Sequence, residues 1–213
     1  GRNWASAISL NRAPKFSDLA AACALVPGML IVGNSMVALL PGTPPPTEAI
    51  LGKETMAQFE QMIRAWPWWV AVIIIAVGPA VGEELFCRGF LGRGLVARHG
   101  PAAGVAITSL LFGVMHIIPA QAAYAAVLGV LLHLLALAGQ SLWLPMIAHF
   151  LNNALSVMAS CEDSPLRPWL AAAQQSIEAW PALFLPVGLG MCVAVTRHLM
   201  TENSVMIPPR SSG

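Results

Sequence analysis

The chain has 213 residues, of which 57% are hydrophobic and 10% charged, with a mean hydropathy of +0.70 and a net charge of +1. Soluble domains carry about 25% charged residues, so an ordinary soluble domain is excluded, and the near-neutral balance leaves no basic footprint for nucleic acid. The apolar residues come in blocks close to the length of a membrane span, about 18 residues or more, which suits one compact membrane domain over residues 1–213.

Taken in chain order, the first predicted span is Leu19–Leu40, and the run PGTPPP at 41–46 ends it. Residues 47–65 are more polar, with Met56, Phe59, Met62 and Ile63 spaced like one face of a helix. That pattern fits a short amphipathic helix at the membrane interface, or a connecting helix packed on the bundle. The run WPWWVAVIIIAVGPAVG from Trp66 leads into Glu83 and Glu84 with no turn signal before Arg98–Pro101, which predicts one long helix from Trp68 to Ala97. The third to sixth spans follow at Pro101–Ile118, Ala120–Ala138, Leu142–Ala159 and Ile177–Met200. Short breaks at Pro119 and Gly139–Ser141 make spans three to five antiparallel neighbours. The expected fold is an all-α transmembrane bundle of about six spans.

Cys23, Cys87, Cys161 and Cys192 are far apart, show no CxxC spacing and are read as packing residues. With six spans and a cytoplasmic N-terminus, the inner segments hold Arg2, Arg12, Lys15, Arg88, Arg93, Arg98, Arg197 and Arg210, against Lys53, Arg64 and Arg167 outside. The positive-inside rule then places both termini in the cytoplasm.

Ionisable groups within spans are costly and by default mark function. Glu84 and Arg88 are four apart, on one helix face, and can pair. Glu83 is five from Arg88, on another side of the helix, and is left without a local partner, free to act as a base. The bland alternative is a structural ion-pair network. Pro79, between Gly78 and Gly82, predicts a kink beside the glutamates. Phe112 and His116 share a face of span three, and His149 and Asn153 share a face of span five with Asn152 alongside. His116 alone reads equally as a capping residue, and the His and Asn residues as interhelical glue. His133 stands in an all-leucine neighbourhood and is read as a packing or hydrogen-bonding residue. At about 1.5 Å per residue, Glu83 and His116 each lie roughly 22 Å from the turn between their helices, so they can meet. His149 is only about 10 Å into its span and reaches that level only if the Gly139–Ser141 turn is sunk into the protein.

The ordered motifs EELFCR at 83–88, FGVMH at 112–116 and HFLNN at 149–153 resemble those of the CAAX protease and bacteriocin-processing family of intramembrane glutamic proteases, which includes the type II CAAX prenyl proteases. The flanking EELFCRGFL and SLWLPMIAHFLNN look like its bacterial branch. Cys87 departs from the phenylalanine that many relatives carry before the arginine. The resemblance implies a catalytic core at 68–158, in which Glu83 activates water and Glu84 and Arg88 position and balance the site. His116 would orient the water or protonate the leaving amine, and His149 and Asn153 would bind the oxyanion. Phe112 and Asn152 would face the substrate. It further implies a membrane-anchored protein or peptide substrate, no cofactor or metal, and residence in the bilayer of a bacterial inner membrane. The rival readings are an intramembrane metalloprotease, which also uses Glu with two His, a proton-coupled transporter, and a non-catalytic immunity protein of the same fold.

Overall fold

The computed structural model describes residues 9–10, 13–40, 53–116 and 119–204. Among these the chain is helical: α1 (Phe16–Leu39), α2 (Lys53–Arg64), α3 (Trp68–Ala71), α4 (Gly78–Glu84), α5 (Gly92–Val114), α6 (Pro119–Gly139), α7 (Trp143–Ser160), α8 (Arg167–Ala179) and α9 (Pro181–Ser204). Two π-helical stretches, π1 (Val72–Val77) and π2 (Leu85–Leu91), join α3, α4 and the start of α5 without a break. By length and composition, four described helices can cross a membrane: Phe16–Leu39, Trp68–Val114, Gln121–Gly139 and Pro181–Glu202.

The second of these holds two predicted spans. Its helical run is broken at Gly100, whose φ of 82° and ψ of 167° suit glycine, and Pro101 restarts the helix with its fixed φ. The chain folds back there so tightly that a side chain on Gly104 would collide with the Val96 backbone. The predicted fifth span is α7. It carries His149, Asn152 and Asn153 and is not among the four helices long and apolar enough to cross a membrane.

The surface is apolar and the interior partly polar, the reverse of a water-soluble protein. Ile73, Phe90, Leu110 and Leu183 are exposed, while Glu84, Arg88, His149 and Asn152 are buried. Lipid gives helices little hydrophobic reason to associate, so close packing and polar contacts hold them. α1 and α9 meet where Gly28 faces Cys192 and Gly188 faces Ile31. The α5–α6 pair is equally close: Gly113 lies against Ala122 and Ala126, and Gly129 against Ser109. α7 runs through the middle, touching α1, π1, α4, α6 and α8.

Three expectations need correction. The third span ends at Val114 and not at Ile118; His116 follows it in a closing turn, and Ile117–Ile118 lie outside the described residues. The sixth span begins at Pro181 and not at Ile177, because Trp180 leaves helical geometry (φ −133°, ψ 51°). Ahead of it stands α8, an amphipathic helix that the hydropathy pattern did not reveal. Of the predicted interfacial segment, α2 is present and amphipathic, with Met62 exposed. Residues 47–52 and the side chains of Met56 and Phe59 lie outside the described residues.

Candidate active site

The glutamates sit on α4 between the two π-helical stretches. Such widened turns tend to occur at functional sites. Pro79 has no N–H to offer the carbonyl of Ile75, four residues earlier. The Asn153 Nδ2 lies 3.5 Å from that same carbonyl oxygen, a long contact. The proline therefore relaxes the backbone beside the site and leaves an acceptor that a second helix uses.

Glu84 and Arg88 pair as their spacing predicts: Arg88 Nη1 donates to Glu84 Oε1 at 2.7 Å, with both side chains buried. Arg88 Nη2 donates to the Gly129 carbonyl on α6 at 2.9 Å, and the guanidinium carbon lies 4.5 Å from the centre of the Phe112 ring. His149 Nδ1 is 2.9 Å from the same Glu84 oxygen, so that nitrogen carries the proton and donates. Its Nε2 is 3.8 Å from Glu83 Oε2, too far for a hydrogen bond. Glu83 Oε2 has no hydrogen-bond partner. Glu84 Oε2 is without a partner as well, so the two adjacent carboxylates differ elsewhere: Glu84 is wholly buried with Oε1 held by Arg88 and His149, while Glu83 is 27% exposed and has no ion pair within hydrogen-bond distance.

His149 reaches this level because the turn before α7 is sunk. Gly139, Ser141 and Leu142 are buried. Residues near the N-terminus cover them: the Leu142 N–H donates to the Ser9 carbonyl at 3.2 Å, and Trp143 Nε1 donates to the Leu10 carbonyl at 2.9 Å.

His116 Nδ1 is 2.9 Å from the Phe112 carbonyl, which makes Nδ1 the donor and leaves Nε2 as a lone-pair acceptor in the neutral ring. Phe112 is fully buried and packs edge-on against both His116 and His149. It does not line the cavity described below, and both imidazoles and Arg88 rest against it.

Glu83, His116, His149, Asn152 and Asn153 all line one cavity of about 460 Å³. Tyr124 lines it too, and sequence reasoning missed it. Its hydroxyl donates to Asn152 Oδ1 at 2.9 Å, and Asn152 Nδ2 donates to Asn153 Oδ1 at 3.3 Å. That chain turns the Asn153 oxygen towards its neighbour and the Nδ2 away. The ring fits because position 33 on α1 is glycine; a side chain there would come within 2.8 Å of it. The signal was available, since Tyr124 is the one tyrosine in the sequence. Among the described residues, no three His, Cys, Asp or Glu side chains form a cluster able to hold a metal ion.

Residues 65–155 match the family model of the Type II CAAX prenyl endopeptidase Rce1-like proteins. The resemblance drawn from the three motifs is borne out over that stretch. No curated protein and no solved structure matches the chain. The match covers the segment that carries all three motifs and less than half of the chain, and it marks that segment as similar to the membrane endopeptidases of that family.

Proposed function

We propose that the protein is an intramembrane glutamic endopeptidase in which Glu83 activates water for direct attack on a peptide bond. The observation that carries this reading is the contrast between the glutamates: Glu84 is buried and held by Arg88 and His149, while Glu83 is partly exposed and lines the cavity without such a partner. A carboxylate with a free lone pair in a site partly closed to solvent is the group that can take a proton from water.

Water held between Glu83 and the acceptor Nε2 of His116 would attack the scissile carbonyl. The developing oxyanion needs donors aimed at it. Asn153 Nδ2 is such a donor, held by a long contact that it can exchange. His149, with Nδ1–H given to Glu84, offers a second N–H as the imidazolium. That form also balances two carboxylates against one guanidinium. The proton taken by Glu83 then passes to the leaving amine, directly or through His116. Glu84 and Arg88 are positioning residues: they hold the imidazole ring and touch no substrate.

The substrate is a membrane-anchored protein or peptide. Apolar lining from Leu30, Val37 and Leu128 suits an anchored chain entering from the side. His116 and Gln174 of α8 belong to the end of the bundle away from Gly100, which under the positive-inside topology is the outer end. The test is cleavage of co-expressed, membrane-anchored reporter substrates, read on a gel with and without a chelator. The reading predicts cleavage that survives the chelator; loss of cleavage with the chelator would favour a metalloprotease instead.

A further inference from the structure

The cavity that Glu83 lines does not end at α8. A smaller trough, of about 200 Å³, runs beneath that helix and shares Leu30, Asn34, Ser156 and Gln174 with it. α1, α7 and α8 form its walls. From α8 it takes Leu170, Ala173, Gln174 and Ile177, which the helical period puts on one face. Trp169 and Trp180 are exposed at either end of the same helix, as befits an element at the membrane–water boundary. Ser160, the last residue of α7, marks the trough's place at the outer end of the bundle. Two of the walls, α1 and α8, lie outside residues 65–155, the stretch similar to the Rce1-like family.

We propose that this trough is a substrate subsite, which holds the polar flank of the anchored chain in an extended form on the outer side of the scissile bond. The four polar side chains that line it are neutral, and each spends a donor within its own helix. Asn34 Nδ2 donates to the Leu30 carbonyl at 2.8 Å, and Gln174 Nε2 to Glu178 Oε1 at 2.8 Å. Ser156 Oγ donates to the Asn152 carbonyl at 2.9 Å, and Ser160 Oγ to the Ser156 carbonyl at 3.3 Å. Those bonds fix both amides, so that Asn34 Oδ1 and Gln174 Oε1 are acceptors, and the serine oxygens keep their lone pairs. Acceptors of this kind suit the backbone N–H groups of an extended peptide. Proline has no such group. Ala159 and Ala173 leave room for small side chains. The substrate is therefore cut beside its anchor and carries a flank of small, uncharged residues without proline. That the bound chain is a substrate rests on the endopeptidase reading; that a peptide binds in the trough does not.

Thiol protection tests binding separately from cleavage. The full chain carries Glu83→Gln, so that the peptide survives, and Cys23→Ser, which removes the exposed cysteine. Ala173→Cys then places a thiol in the trough, and Ala172→Cys, on the same helix and not in the lining, serves as the control. The probe is a synthetic peptide with an apolar helical anchor of about 20 residues and a flank of glycine, alanine and serine. In maltoside detergent the probe should slow labelling of position 173 by a polar maleimide and leave position 172 unchanged. A flank rich in proline should lose that protection. Asn34→Leu and Gln174→Leu should each weaken binding about fivefold, the worth of one hydrogen bond. Protection at 173 without cleavage of the probe by wild type keeps the subsite and removes the endopeptidase reading. Cleavage by wild type with position 173 labelled at its free rate overturns the subsite and keeps that reading. Neither cleavage nor protection overturns both.

Discussion

The cavity that Glu83 lines and another of about 390 Å³, lined by Arg88, Arg93 and His133, share a wall and differ in every polar group that faces them. On one side stand Glu83, three asparagines and two imidazoles; on the other, two guanidiniums and an imidazole with no carboxylate among the described lining residues. The wall is a single buried ion pair, Glu84–Arg88, laid along one turn of helix. Buried pairs contribute little net stability, because desolvation offsets their attraction. What this one does is sort charge. It spends one carboxylate on holding His149 and Arg88, so that the adjacent carboxylate is left open, and it turns the guanidinium's remaining donor away from the reaction.

Breaking the wall should have the largest effect. Either Glu84→Gln or Arg88→Met leaves a buried charge without its partner, at a cost of about 3–5 kcal/mol. Unfolding in detergent should show it, and the double variant should recover much of the loss. Breaking only the reactive side should be milder for the fold and severe for chemistry. Asn153→Ala, by analogy with lost oxyanion donors elsewhere, should lower turnover roughly 10²–10³-fold with little change in melting temperature. A melting loss as large as that of Arg88→Met would make Asn153 a structural residue. The smallest change sharpens the comparison most finely. Tyr124→Phe removes one hydroxyl from the chain that orients Asn153, worth about 1 kcal/mol. It should lower kcat several-fold and leave KM unchanged; a rise in KM alone would place Tyr124 in substrate binding.

Much of the reactive side was legible in the sequence because its logic is local. Residues 84 and 88 pair through helix periodicity, and residue 83 is left over by the same arithmetic. The turn at 98–101 announced itself through Gly100 and Pro101. What the sequence concealed depends on distant partners. His149 stands level with Glu84 only because the turn at 139–141 is buried under Ser9 and Leu10, more than 130 residues away. Tyr124 acquires its role from Asn152, 28 residues on, and its room from Gly33 on α1. The π-helical stretches leave no trace in hydropathy, which does not distinguish widened turns from ordinary ones. α8 escaped notice because its few apolar positions run up against the more apolar α9, with only Trp180 between them.

The most direct test of the account is to compare wild type and Glu83→Gln on one membrane-anchored substrate, at matched expression and matched melting temperature. Glutamine keeps the shape and cannot accept the proton from water. General-base catalysis is worth about 10²–10⁴-fold, so cleavage should fall to the limit of detection while the protein stays folded. Cleavage by Glu83→Gln at the wild-type rate would contradict the central claim and move the search for the base to another group in the cavity.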